Sequence, residues 1–206
     1  MSASGSREAH WSDVYARRAA AEVSWYQPEA TPSLEMIEAC GVPTSTPVVE
    51  VGAGASTLVD GLLARGFSDV TLVDLAARAL ERTRERLGDR AEVTYVTADV
   101  TAWRPPRSYG LWHDRAVFHF LFEEQARAAY RRTLAAALAP GGHAVIATFA
   151  EDGPERCSGL PVTRWSAAGL AAELGDVLLL VEARRVVHVT PAGAEQAFLF
   201  ARCERA

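Results

Sequence analysis

Val48-Val49-Glu50-Val51-Gly52-Ala53-Gly54-Ala55-Ser56 and, further along, Val70-Thr71-Leu72-Val73-Asp74 decide how this chain folds. Each is a short apolar run that ends in polar or glycine residues. Such runs read as buried parallel strands whose carboxyl ends carry the polar groups. Gly52 and Gly54, in alternate positions, mark a turn where the backbone comes close to a ligand. Asp74 follows Gly54 by 20 residues, which places a carboxylate at the end of the neighbouring strand, within reach of a ribose. Together they make half of a nucleotide-cofactor site.

Outward from these runs, strand and helix alternate. Strands are expected over 47–51, 70–74, 92–97, 109–113 and 143–149, and helices over 56–65, 77–87 and 123–138. Gly66 and Gly88 stand where helices close. That order implies a parallel, doubly wound sheet. The end differs. After a helix over 166–174, Val177 to Thr190 and Glu195 to Arg202 flank Pro191-Ala192-Gly193, so these runs pair as an antiparallel hairpin. Ahead of the sheet, Trp11, Val14 and Tyr15 recur at helical spacing between Arg7 and Ala21. A break with Trp25 and Tyr26 follows, then a helix opened by Thr31-Pro32 and closed by Gly41. We expect one domain: disorder over 1–6, a helical lid over 7–41 and the core over 47–206.

The 206 residues suit a single hydrophobic core, and the net charge is −5. Every basic residue is arginine, scattered without a basic run, so no nucleic-acid footprint shows. The N-terminus lacks an apolar signal core and no stretch approaches a membrane span, so the expectation is a cytoplasmic protein without membrane contact. Cys40, Cys157 and Cys203 are odd in number and far apart, against a disulfide framework or a zinc site. No metal is expected. The oligomeric state is left open, with a monomer as default.

A dinucleotide fingerprint needs a third glycine where this chain has Thr57, and a phosphate loop needs a lysine that the chain lacks. An acidic-x-Gly-x-Gly loop suits S-adenosylmethionine instead. That cofactor has no phosphate, but its ammonium matches Glu50 and its ribose hydroxyls match Asp74. Asp99, just past the third strand, adds a further carboxylate.

Over residues 48 to about 204 the chain resembles class I S-adenosylmethionine-dependent methyltransferases. The matching pieces are Glu50-x-Gly52-x-Gly54, Asp74, Ala98-Asp99, Leu111-Trp112-His113-Asp114-Arg115, Leu138-Ala139-Pro140-Gly141-Gly142 and the terminal hairpin. The resemblance implies an α/β Rossmann-like sheet of seven strands, order 3-2-1-4-5-7-6, with strand 7 antiparallel and helices on both faces. It implies Asp74 and Leu75 at the ribose, and Asp99 and Val100 at the adenine. Glu50, Gly52, Ala53, Gly54 and Ser56 fall around the methionine end, with Asp114 beside the cofactor. Trp11, Tyr15 and Trp25 become a lid. Ser56 stands where the family often has another glycine.

The acceptor is read from other segments. The Asn/Asp-Pro-Pro-aromatic motif of amide methylation is absent, since 113–116 reads His-Asp-Arg-Ala. Trp11-x-x-x-Tyr15, Trp25-Tyr26-Gln27, Asp114-Arg115-Ala116, Gly153-Pro154 and Gly159-Leu160-Pro161-Val162 look like motifs of thiopurine, thiol and tellurite methyltransferases. This implies a small thiol or other chalcogen as acceptor. His113, Asp114 and Arg115 would position it, and Trp25, Tyr26, Arg115, His119 and Cys157 would line its pocket. A cation there helps: lowering a thiol pKa of about 8.5 by about 1.5 units takes only about 2 kcal/mol. Arg115 paired with Asp114, and His119 packed as an ordinary core residue, are the structural alternatives. A protein-lysine or small-molecule N-methyltransferase is the second reading of function, and a non-catalytic cofactor-binding domain the third.

Overall fold

The computed structural model describes residues 3–206. The first helix, α1, covers Ala3–Arg17. Residues 3–6, expected to be disordered, therefore form its first turn, while Met1 and Ser2 lie outside the described residues. An anchor further along explains the difference. Arg7 pairs with Asp99 at 3.1 Å, and a helix fixed there extends cooperatively by a turn at little cost. α1 also ends early. A 3-10 turn at Ala20–Glu22 replaces its expected last residues, and Ala19 N–H donates to the Glu22 carboxylate at 2.9 Å.

α2 (Thr31–Glu38) starts one residue earlier than a Thr31 cap would place it, with Ala30 in the cap position and Pro32 in the first turn. The alternating part follows: β1 (Val48–Val51), α3 (Leu58–Ala64), β2 (Val70–Asp74), α4 (Ala77–Leu87), β3 (Val93–Thr97) and β4 (Tyr109–Arg115). Then come α5 (Glu124–Ala137) and β5 (Leu138–Phe149). A small hairpin, β6 (Arg156–Cys157) and β7 (Leu160–Pro161), was not visible in the sequence pattern. Its two-residue turn puts Ser158 (φ 50°) and Gly159 (φ 77°) in the left-handed region, the geometry that suits strand twist. α6 (Ala167–Leu174), β8 (Leu178–Val189) and β9 (Glu195–Arg205) complete the chain.

The main sheet has the order β3-β2-β1-β4-β5-β9-β8. Its first five strands are parallel, and β9 runs antiparallel to both β5 and β8. With the small hairpin set aside, this is the expected order 3-2-1-4-5-7-6. Strand alternation builds two cores. Val48, Leu111 and Val145 point to one face, where α2, α3 and α4 pack through Leu34, Ile37, Leu62 and Leu80. Val49, Trp112 and Ile146 point to the other, against Tyr130 and Leu134 of α5 and Leu170 of α6. Each such side chain contributes about 2 kcal/mol when fully buried. The carboxyl ends of β1, β2, β3 and β4 thus gather at one rim of the sheet, where the two glycines and three carboxylates meet.

Candidate active site

Gly52 (φ 62°) and Gly54 (φ 53°) both take the left-handed conformation, so the loop after β1 folds back on itself. It also passes close to its neighbours. A Cβ at Gly52 would stand 2.0 Å from Val117 Cγ2, and one at Gly54 would stand 2.3 Å from the Tyr15 hydroxyl. Asp74 braces this loop. One carboxylate oxygen accepts from Gly54 N–H at 2.8 Å and the other from Ala76 N–H at 2.7 Å. Burial pushes its carboxyl up to about 6, against the lowering effect of these bonds, so it is largely ionised at neutral pH.

The rim holds two adjoining chambers. The first runs from Asp99 and Val100 past Leu75 and Asp74 to Gly52, and ends among Trp11, Trp25, Phe120 and Cys157. Its roof is one stripe of α1, since Arg7, Trp11 and Tyr15 are four residues apart. Trp11 meets Trp25 and Phe120 edge-on, with centroids 5.7 and 5.2 Å apart. At the far end Asp99 is oriented by Thr101, whose N–H and hydroxyl donate to it at 2.9 and 2.7 Å. The second chamber lies on the other side of the glycine loop, between Glu50, Ser56, Ser33, His113 and the loop carrying Tyr26. Arg115, Tyr15, Trp25 and Gly52 line both.

The second chamber is lined by several polar side chains. Ser56 Oγ donates to Glu50 Oε1 at 2.8 Å and accepts from Leu58 N–H at 3.0 Å, which fixes the glutamate. Glu50 Oε2 is buried without a hydrogen-bond partner, and burial pushes the carboxyl up to about 8. His113 shares a hydrogen bond with Ser33 Oγ at 2.8 Å, while its Nδ1 is unpartnered and 3.8 Å from Glu50 Oε1. Burial, then the nearby Arg115 charge, lowers His113 to about 3, so it is neutral and not an ion-pair partner.

Residues expected at the site separate by strand register. His113 and Glu50 are register partners and share a face, and Arg115, two residues on, follows them. Asp114 pairs with Val51 and points to the opposite core. It accepts from Val117 N–H, Phe118 N–H and the Tyr130 hydroxyl at 2.9, 3.2 and 2.6 Å, and lines neither chamber. The cofactor and acceptor roles expected for Asp114 thus have no contact in this geometry; it caps the turn after β4. That turn needs bracing, because Ala116 takes φ 68°. Arg115 does not pair with Asp114 either. His119 is fully buried, packs on Phe120 and Phe149, and accepts from Phe149 N–H at 3.3 Å. It lies outside both chambers, as the packed alternative has it. Cys157, carried by the small hairpin, does reach the first chamber, with its thiol pushed up to about 11 by burial.

Arg7, Val117 and Phe120 line the first chamber and were missed from the sequence. For Arg7 the signal was present, one helical step before Trp11 and Tyr15. Among the described residues, no group of three histidines, cysteines or carboxylates gathers to hold a metal.

Residues 48–142 match the family model of the methyltransferase domain. Over that stretch, which is less than half of its length, the chain is similar to methyltransferase domains, and its sheet has the Rossmann-like methyltransferase fold. Nodulation protein S of Rhizobium fredii is 29% identical over 94 residues, 46% of this chain and 54% of that protein. The chain thus spans about half the length of this relative. The 1,6-didemethyltoxoflavin-N1-methyltransferase of Burkholderia thailandensis, solved with 1,6-didemethyltoxoflavin and S-adenosylhomocysteine, superposes with a TM-score of 0.72. It is 22% identical, and the match covers 100% of this chain and 92% of that one. The N-methyltransferase NodS of Bradyrhizobium japonicum WM9, in complex with S-adenosylhomocysteine, gives a TM-score of 0.70 at 17% identity, covering 95% and 98%. At such identities the likeness carries the fold.

The rim fits S-adenosylmethionine on its own geometry. Asp74 would hold the ribose, Asp99 the adenine amino group, and the left-handed Gly52 leaves the floor of the chamber open. Once ionised, the unpartnered Glu50 Oε2 is the acceptor that an ammonium requires.

Proposed function

We propose that this chain is an S-adenosylmethionine-dependent methyltransferase acting in the cytoplasm on a small planar nucleophile. The observation that carries the reading is the continuity of the first chamber. One cavity joins carboxylates suited to adenosine, at Asp74 and Asp99, to an aromatic box of Trp11, Trp25 and Phe120. When bound, S-adenosylmethionine supplies an activated methyl group that passes to an acceptor lone pair as the sulfur–carbon bond breaks. The aromatic box would stack a planar acceptor in line with that bond. Arg7, Trp11 and Tyr15 of α1 would exclude water from above. The box is built of aromatic rings, and the Cys157 thiol beside it is kept protonated by burial, which suits an acceptor whose lone pair is free before it binds.

A thiolate sulfur and an unprotonated amine or ring nitrogen are two atoms that meet that condition. The likeness to thiol methyltransferases favours sulfur. Structural relatives named for nitrogen, NodS and the didemethyltoxoflavin enzyme, favour nitrogen. Calorimetry with S-adenosylhomocysteine, followed by a screen of aryl thiols, heteroaromatic amines and a protein extract with methyl-labelled cofactor, tests the reading. Micromolar binding and label on a small thiol or amine are expected. Absence of S-adenosylhomocysteine binding would overturn the cofactor assignment, and label confined to protein would replace the small acceptor by a lysine side chain.

A further inference from the structure

Arg115 carries more unused hydrogen-bonding capacity than its surroundings explain. Its guanidinium is held on two sides: Nη1 donates to the Trp25 carbonyl at 2.9 Å, and Cζ sits 5.0 Å above the Phe198 ring. The remaining edge, Nε with Nη2, is buried and has no hydrogen-bond partner. That edge is the side-on fork that grips both oxygens of a carboxylate. Burial lowers Arg115 to about 10, so it stays charged at neutral pH. A buried guanidinium edge left without partners costs stability that a bound anion would recover.

Its counterpart lies in the same chamber. Glu50 Oε2 is equally buried and unpartnered, and Glu50 and Arg115 influence each other electrostatically without bonding. An acceptor and a two-pronged donor left unsatisfied in one chamber are the complement of a zwitterion: an ammonium at one end and a carboxylate at the other. Asp114, the carboxylate next in sequence, is committed to Tyr130 and the turn after β4. It leaves the guanidinium free for a ligand.

We propose that Arg115 and Glu50 form the receptor for an α-amino-acid group, with the Nε/Nη2 edge of Arg115 binding the carboxylate of the methionine end of the cofactor. The proposal rests on the cofactor assignment above, and it moves Arg115 from the acceptor to the cofactor. His113 and Ser33 complete the wall, a neutral pair that leaves both charges to the zwitterion.

Three ligands test it without turnover: S-adenosylhomocysteine, its decarboxylated analogue, and 5′-methylthioadenosine, which lacks the whole amino-acid end. Native protein should bind the first about 10- to 100-fold more tightly than the second. Arg115→Ala should erase that preference while 5′-methylthioadenosine affinity stays within about threefold, which also shows that the variant is folded. Arg115→Lys, which keeps the charge but not the fork, should fall between. If native protein shows no preference for the carboxylate, or if Arg115→Lys keeps it in full, the proposal is overturned. Equal loss of all three ligands in both folded variants would make Arg115 a structural residue. Failure of native protein to bind any of them would instead remove the cofactor assignment itself.

Discussion

Asp74 and Asp114 are two aspartates of one rim that look alike by most measures. Both lie at or near the carboxyl end of a parallel strand, both are pushed up to about 6 by burial, and both accept two backbone N–H groups. They differ in what else they face. Asp74 opens into the first chamber, whereas Asp114 takes the Tyr130 hydroxyl from α5 on the other side of the sheet. A buried carboxylate with a perturbed pKa is therefore no sufficient mark of a binding residue. Which face its strand register gives it decides the matter.

Substitutions at the two positions should separate affinity from stability. The largest effect is expected from Asp74→Ala, which removes the brace of the glycine loop and the proposed ribose acceptor together. S-adenosylhomocysteine affinity should fall by about 100-fold or more, measured by calorimetry on protein shown to be folded. Asp114→Ala should act on stability instead. It strands the Tyr130 hydroxyl and two turn N–H groups, a loss of about 3 kcal/mol, seen as a fall in Tm of about 6–12 °C. Affinity in the folded fraction should change by less than about threefold. If Asp114→Ala abolished binding at full stability, the contrast between the two aspartates would collapse.

Glu50 sharpens the contrast, being a third buried carboxylate, one we propose serves the ligand at the expense of the fold. Burial raises its carboxyl above the ordinary value to about 8, so the folded protein holds this proton more tightly than the unfolded chain. Its stabilising contribution is present below the unfolded value near 4.5 and is lost as pH rises through 8. Glu50→Gln should accordingly melt higher than native protein at pH 8.5. It should also bind S-adenosylhomocysteine more weakly and without the several-fold gain in affinity expected of native protein between pH 6.5 and 8.5. Parallel pH profiles in the two proteins would show that an ionised Glu50 plays no part in binding.

The sheet was legible because its signals are local. Apolar runs of strand length, glycines at loop and cap positions, and the Pro191-Ala192-Gly193 turn each specify a short stretch, and their order leaves few topologies. Asp74 was legible for the same reason, standing at a strand end at a fixed interval from Gly54. The β4 segment was harder. His113, Asp114 and Arg115 are adjacent in sequence, yet alternation sends Asp114 to the core with Trp112 and leaves the other two at the chamber. The alternation itself was readable; which face held the chamber depended on α1 and α2, far earlier in the chain. The hairpin that brings Cys157 inward has two residues per strand, too few for any period to show. Arg7 stood at the start of the expected helix, one step before Trp11 and Tyr15, but its place in the chamber wall shows only with its pairing to Asp99.

The edge-on pair of Trp11 and Trp25 on the chamber wall has a practical consequence. Of the five tryptophans in the chain, these two line the cavity, while Trp103 and Trp112 are embedded in the core. Filling the cavity changes the polarity around both indoles at once. The protein thus carries its own fluorescent reporter of occupancy, in which Trp25→Phe would dim the response and Trp112 would supply a steady background.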